Sequence, residues 1–499
     1  MLIENLLNPL ILVTFLPMVG FLLILFLKGE RKDAIRWVAL IASLATFGIS
    51  IWILFLFNPT VDTPQMKLTY PWLNVGGFKV NFSLKVDGLN ILLLLLTTLL
   101  TPISILSTWR SITEKVKGFM LFFLLLESGM IGVFLAMDLV LFYLFWEITL
   151  IPMYFLIGIW GSERKVYAAV KFFLFTMAGS VLMLLAILFL GWRTGTFELD
   201  YLIANRAYFA DAQTWLFFAF AIAFAIKVPM FPLHSWLPDA HTEAPTAGSV
   251  ILAGVLLKMG TYGFLRFNLQ LFPVASVQYA PLIGILAVIG ILYGALVAFA
   301  QKDVKRLVAY SSISHLGFVM LGIFALNPEG LTGGLLQMIN HGLSTGALFL
   351  IVGMLYERRH TREMAQFGGL WKVVPMLGGL MLVITLSSLA LPGLNGFVGE
   401  FAILLGAFGS SDLGSPFIGG FATLGVVLAA VYLLTMFQKV FLGPVVHEEN
   451  QSLKDLDNRE TLLLLPILLL IFWIGLYPKF FIDLIEPAVT RVLITLLTY

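Results

Sequence analysis

The chain has no cysteine among its 499 residues and few charges, 12% Asp, Glu, Lys and Arg in all. Without cysteine it holds no disulfide, no cysteine-ligated iron–sulfur cluster and no thiolate metal site, so any redox chemistry is expected in partners. A soluble domain carries about 25% charged residues, so the scarcity of charge excludes that class. Neither a GxGxxG nor a Walker A pattern is present, which leaves no nucleotide fingerprint. What fills the chain is apolar: 60% AVILMFWYC and a mean hydropathy of +0.98, the composition of a polytopic membrane protein. The first apolar run, Leu6 to Leu27, is preceded by Glu4 and no basic residue and lacks a small-residue cleavage site. It is expected to be a retained span and not a secretory signal.

Windows of about 20 apolar residues place spans near 6–27, 37–57, 90–108, 119–137, 139–160, 172–192 and 214–233. Seven more lie near 245–267, 279–300, 307–326, 331–355, 375–407, 416–438 and 461–483. The expected fold is an all-α integral membrane protein of about fourteen spans, one polytopic domain over 1–499. The longest polar stretches are 58–89, 193–213 and 443–460. Thr63-Pro64 and the run FKVNFSLKVDG predict a small surface hairpin in the first.

Loops after odd-numbered spans carry twenty of the Lys and Arg residues, beginning with Lys28, Arg31, Lys32 and Arg36. The opposite side has eight: Lys67, Lys79, Lys85, Arg193, Arg206, Arg266, Lys479 and Arg491. Positive charge collects on the cytoplasmic side, so both termini are expected outside.

Two of the 30 cations fit neither side. Lys227 closes an apolar run just before Pro229 and Pro232, and Lys258 lies inside the next run with no acid within ten residues. A charge at the bilayer centre costs roughly 3 kcal/mol even on insertion scales, so it marks function by default. Span twelve is also interrupted, at Leu391-Pro392-Gly393 and Gly396. Paired interrupted helices five spans apart suggest two inverted units with a transport site between broken segments; two ordinary kinks would give the same pattern.

Further ionisable residues lie at membrane depth. Glu147, mid-span in LFYLFWEITLIPMYF, has Lys227 as its obvious partner. His315 and His341 lie in spans ten and eleven, Glu400 follows the break of span twelve, and Glu127 is a further acid in span four. Together they make a row of acid, amine, imidazole and acid through which a proton can be handed along the membrane. A buried lysine exchanges its proton when its carboxylate partner moves or is neutralised. Asp138 reads as a solvated boundary acid. His234, Asp239, His241 and Glu243 match no standard metal template and read as a polar loop closing the broken span.

Four segments carry a resemblance: FWEITLIPMYFLIGIWG, KVPMFPLHSWLPDAHTEAPTAGSVILAGVLLKMGTYG, AYSSISHLGFVMLG and INHGLSTGALFL. Over nearly its whole length the chain closely resembles the M-type antiporter-like subunits of bacterial proton-pumping NADH:quinone oxidoreductase, respiratory complex I. The resemblance implies inverted five-helix repeats over 119–267 (spans four to eight) and 279–440 (spans nine to thirteen). It implies that Glu147 and Lys227 form the coupling pair, Lys258 the central proton carrier, His315 and His341 the linking relay, and Glu400 the exit residue. A glutamate at 400, where sister subunits and antiporters usually carry lysine, favours the M type. FMN, iron–sulfur clusters and quinone are then expected in partner subunits, with no cofactor and no metal here. The expected partners are other membrane-arm subunits, above all the neighbouring antiporter-like ones, together with lipids and protons and no nucleic acid. The expected location is the bacterial inner membrane. A cation/proton antiporter subunit, the equivalent subunit of a ferredoxin-driven complex, and a structural module of the membrane arm remain alternatives.

Overall fold

A computed structural model describes residues 7–60 and 66–497 of the chain. Glu4, Leu6 and the Thr63-Pro64 step lie outside the described residues.

A membrane interior offers the backbone no water, so a single crossing segment satisfies its N–H and C=O groups by forming a helix. Among the described residues, thirteen helices are long and apolar enough to cross. α1 (Pro9–Phe26) and α2 (Lys32–Leu56) precede a hairpin, β1 (Met66–Val75) and β2 (Phe78–Val86). α3 (Ile91–Ser111), α4 (Val116–Leu135), α5 (Leu139–Trp160), α6 (Lys165–Thr194) and α7 (Gln213–Lys227) follow. After the short α8 (Trp236–Glu243) come α9 (Thr246–Leu271), α10 (Ala280–Phe299), α11 (Val304–Phe324) and α12 (Pro328–Arg359). The chain ends with α13 (Pro375–Ser388), α14 (Asn395–Gly409), α15 (Phe417–Phe441), α16 (Asn458–Leu476) and α17 (Lys479–Leu497). α13 and α14 are each too short to cross alone and occupy the place of the expected interrupted span twelve.

The helix starts follow from local side-chain chemistry. The first N–H groups of a helix have no intrahelical partner and take a side-chain oxygen where one is offered. Asp138 accepts from Val140 N and Leu141 N at the start of α5, Asp303 from Arg306 N at α11, and Asn327 from Gly330 N at α12. α16 opens with a reciprocal capping box between Asp457 and Glu460. The hairpin pairs Met66 with Val86 through to Val75 with Phe78. It turns on Gly76-Gly77 at φ +60° and +89°, the double positive φ that a tight hairpin turn requires.

The chain separates into two compact units. The first takes the chain up to Val228, Val255–Tyr279 and the stretch from Asp483 onward; the second takes Pro229–Gly254 and Ala280–Ile482. α1 and α2 keep most of their surface outward, with about a third of the residues buried, which suits lipid-facing helices. α9 and α12 are wholly buried. These two carry Lys258 and His341.

Three expectations need correction. The last expected span, 461–483, ends at Leu476, because Tyr477-Pro478 breaks it. A further helix, α17, then runs on with Lys479, Asp483, Glu486 and Arg491 in it, and these charges hide it from an apolar window. Arg266, counted with the loop cations, lies inside α9 and is 3% exposed. Lys305, counted likewise, is buried in the first turn of α11, where its ammonium donates to the Ala244 carbonyl.

Candidate functional site

In the first unit Lys227 is the last residue of α7 and Lys258 is central in α9; their exposures are 1% and 0%. The Lys227 ammonium stands over the Trp146 ring at 5.2 Å and the Phe172 ring at 5.7 Å, where ring quadrupoles attract a cation. Glu147, one residue beyond Trp146, is half-buried. Among the described residues it makes no direct ion pair with Lys227. The pair expected from sequence is thus not in direct contact here; what the ammonium faces is the two aromatic rings. α7 and α9 approach closely at Gly260, where an added Cβ would meet the Phe224 carbonyl at 2.8 Å and Lys227 Cβ at 3.0 Å. Glu127, on α4, is fully buried, and neither of its carboxylate oxygens has a hydrogen-bond partner among the described residues.

Lys258 lies between two π turns of α9, Leu252–Leu256 and Phe264–Asn268. Such turns are rare and concentrate at functional sites. No apolar pattern in the sequence discloses them.

In the second unit two of the sequence-predicted residues, His315 and Glu400, come into direct contact. His315 Nδ1 lies 3.0 Å from Glu400 Oε1, and Tyr432 Oη 3.2 Å from His315 Nε2. With its proton on Nδ1 the imidazole donates to Glu400, and Nε2 accepts from the Tyr432 hydroxyl. The His341 ring is 5.9 Å from that of His315, centroid to centroid. Glu400 Oε1 also accepts from Gln337 Nε2 at 3.0 Å, while its Oε2 has no hydrogen-bond partner among the described residues. All these groups are almost fully buried.

The neutral members of this site were missed. Asn340 Nδ2 donates to Gln337 Oε1 and to the Asn395 carbonyl. Ser387 Oγ donates to Asn395 Oδ1 at 2.5 Å and lies 2.6 Å from Ser344 Oγ. A polar cavity of ≈ 10 Å³ opens among His315, His341, Asn340, Ser344 and Ser388. That is about the space of one water. The sequence did hold a signal for part of this, since Gln337, Asn340, His341 and Ser344 fall at i, i+3, i+4 and i+7, one face of α12. Tyr432, within the largely apolar α15, carried none.

His234 and His241 do not join the relay residues. Each packs on an aromatic ring, His234 on Tyr293 at 4.9 Å and His241 on Phe349 at 4.7 Å. Asp138 is wholly buried, contrary to the solvated reading. Burial raises its carboxyl to about 6, although it accepts from three backbone N–H groups.

Comparison with known proteins identifies the family. Residues 136–445 match the family described as NADH:quinone oxidoreductase/Mrp antiporter, TM. NADH-quinone oxidoreductase subunit M of Rhodobacter capsulatus is 44% identical over 97% of this chain and 96% of its own length. NADH-ubiquinone oxidoreductase chain 4 of Marchantia polymorpha is 42% identical over 95% of each. A chain in the structure of respiratory complex I from Thermus thermophilus with bound NADH superposes with a TM-score of 0.86. It is 35% identical and the match covers 97% of this chain and 99% of that one. A chain of the Mrp complex from Dietzia, 20% identical at a TM-score of 0.82, shares the fold over 97% of each. The chain is thus a multi-pass membrane protein and belongs to the NADH:quinone oxidoreductase/Mrp antiporter transmembrane family.

Proposed function

We infer that the chain is an antiporter-like membrane-arm subunit of respiratory complex I, of the M type, which translocates protons while electrons pass from NADH to quinone in other subunits. The observation that carries this reading is Lys258: a fully buried ammonium site in a wholly buried helix, within the family's matched segment. An amine at that depth is expensive to keep, and proton relays are where membrane proteins keep one.

Glu147 and Lys227 act as the coupling pair, which loads Lys258 as carrier. His315 and His341 relay the proton and Glu400 releases it, with Glu127 as a further acid of the first unit. The direct His315–Glu400 contact supports the last step. The transport segments form two inverted repeats, 119–267 and 279–440, each with one interrupted helix. Neighbouring antiporter-like subunits and lipids surround the chain in a bacterial inner membrane, with both termini on the outer side. FMN, iron–sulfur clusters and quinone belong to partner subunits, and the chain takes part in a translocase without redox chemistry of its own.

The test replaces Lys258 by Ala in the intact complex in sealed vesicles and records proton uptake and electron transfer together, after assembly is checked. Loss of both is expected. Undiminished pumping per electron would remove Lys258 from the path and sink the reading.

A further inference from the structure

The strongest unassigned feature is a ladder of charges that starts at the hairpin and ends on the helix of Lys258, all within the first unit. At the exposed end Asp200 pairs with Lys67 at 2.8 Å and with Lys85 at 3.6 Å. Lys67 also pairs with Glu198 at 2.7 Å. Lys85 stands 3.8 Å from Asp87, and Asp87 holds Arg266 in a bidentate pair, Nη1 to Oδ2 at 2.8 Å and Nη2 to Oδ1 at 2.5 Å. Arg266 Nε donates to Tyr262 Oη at 2.9 Å, and that hydroxyl donates to the Phe134 carbonyl at 2.8 Å. Side-chain exposure falls along the way, from 40% at Asp200 to 14% at Lys85, 11% at Asp87 and 3% at Arg266. Tyr262 and Lys258 have none.

The spacing on α9 gives the ladder its direction. Lys258, Tyr262 and Arg266 stand at i, i+4 and i+8, so successive side chains lie one turn apart on one side of the helix. Arg266 itself belongs to the π turn Phe264–Asn268. A line of polar groups thus runs from the hairpin face to the helix of the lysine that carries the proton, and its most buried ionic link is the Asp87–Arg266 pair.

A guanidinium is a poor member of a proton wire, because it stays protonated and has no acceptor. Fixed in a buried site, its charge raises the energy of a hydronium, the device by which an arginine excludes protons and cations from a channel. Asp87 keeps it in place. Burial pushes the Asp87 carboxyl up, but the Arg266 charge and its hydrogen bonds overcome that and hold it at about 2, so the pair stays ionised.

We propose that the Asp87–Arg266 pair is an electrostatic seal that closes the hairpin-side end of the Lys258 helix, so that a proton on Lys258 cannot escape to that face. The proposal rests on the translocation reading and adds to it a gating residue pair and the side that is closed.

Passive proton leak tests it, measured without NADH in liposomes that contain the intact complex, by the decay of an imposed pH difference. Arg266→Gln is expected to raise the leak on the order of tenfold, the factor that corresponds to about 1.4 kcal/mol of barrier. Arg266→Lys, which keeps a charge, should stay tight. Lys258→Ala combined with Arg266→Gln should return the leak to the wild-type level, which a merely structural role of the pair would not produce. A tight Arg266→Gln complex, or a leak indifferent to Lys258, overturns the seal. Where the lone substitution prevents assembly, Asp87→Asn with Arg266→Gln leaves no unpaired buried charge and takes its place. Failure of both to assemble assigns the pair to folding and also overturns the seal. The parent reading fails separately, through undiminished pumping in Lys258→Ala alone.

Discussion

At the scale of single residues, what decides function is whether a buried group keeps its charge and whom it faces. Glu400→Gln preserves the shape of the contacts to His315 and Gln337 but removes the proton-accepting carboxylate. Proton uptake per electron should fall on the order of tenfold in assembled complex; wild-type uptake would take Glu400 out of the relay. Asp138 supplies a prediction of opposite kind. Burial raises its carboxyl to about 6 from 3.8, so folding favours the protonated form. That stability is complete below the unfolded value of 3.8 and is lost as pH rises through 6. Asp138→Asn cannot ionise and still offers an N-cap oxygen. Its thermal midpoint should therefore gain on wild type between about pH 4 and about pH 8, the gain approaching roughly 2–3 kcal/mol before cap losses. A difference that does not change with pH would show that Asp138 does not titrate in that window. The charged residues were legible in the sequence because a charge at membrane depth is expensive and so stands out. Of the amides and hydroxyls that join them, those on α12 share one helical face, but Ser387 and Tyr432 were not legible, since such groups cost little wherever a helix finds them a partner.

At the scale of elements, the interruptions do the positioning. Gly393 breaks the chain between α13 and α14 at φ +93°, and Gly396 in the first turn of α14 lies against the Ser387 carbonyl, 2.2 Å from where a Cβ would stand. Gly396→Ala must therefore push α14 away from α13 and disturb the Ser387–Asn395 bond. We expect a loss of about 1–3 kcal/mol, the usual range for overpacking, seen as a lower thermal midpoint together with reduced pumping per electron. Unchanged values in both would mean that the break tolerates displacement and does not set the site. Gly260→Ala makes the matching test where α9 meets α7, since its Cβ would press on Lys227. It should impair proton uptake while Lys258 remains in place; intact uptake would separate the two lysines functionally. The breaks at 228–235 and 389–394 were legible because Pro and Gly announce them. The π turns either side of Lys258 were not, because a single extra residue in a turn leaves a mostly apolar helix looking the same. α17 was hidden by its own charges.

At the scale of the whole molecule, mechanism depends on which face of the membrane the hairpin meets. The Lys and Arg distribution leads us to expect the hairpin and the ladder on the outer side and the loops after odd-numbered spans on the other. With Lys305, Arg266, Lys479 and Arg491, which lie in helices, left out, the asymmetry on which this expectation rests is nineteen against five. It matters for mechanism because the proposed seal shuts the hairpin side, so Lys258 must be reached from the other side of its unit. Reversed, the same seal would block uptake and not leakage. The cysteine-free sequence makes the assignment direct. A single cysteine at Lys79, in the exposed part of the hairpin, should react with a membrane-impermeant maleimide added to intact cells with the outer membrane opened. One at Lys28, between α1 and α2, should react only after the inner membrane is breached. The reverse pattern would invert the whole molecule and turn the seal from a barrier against loss into a barrier against loading.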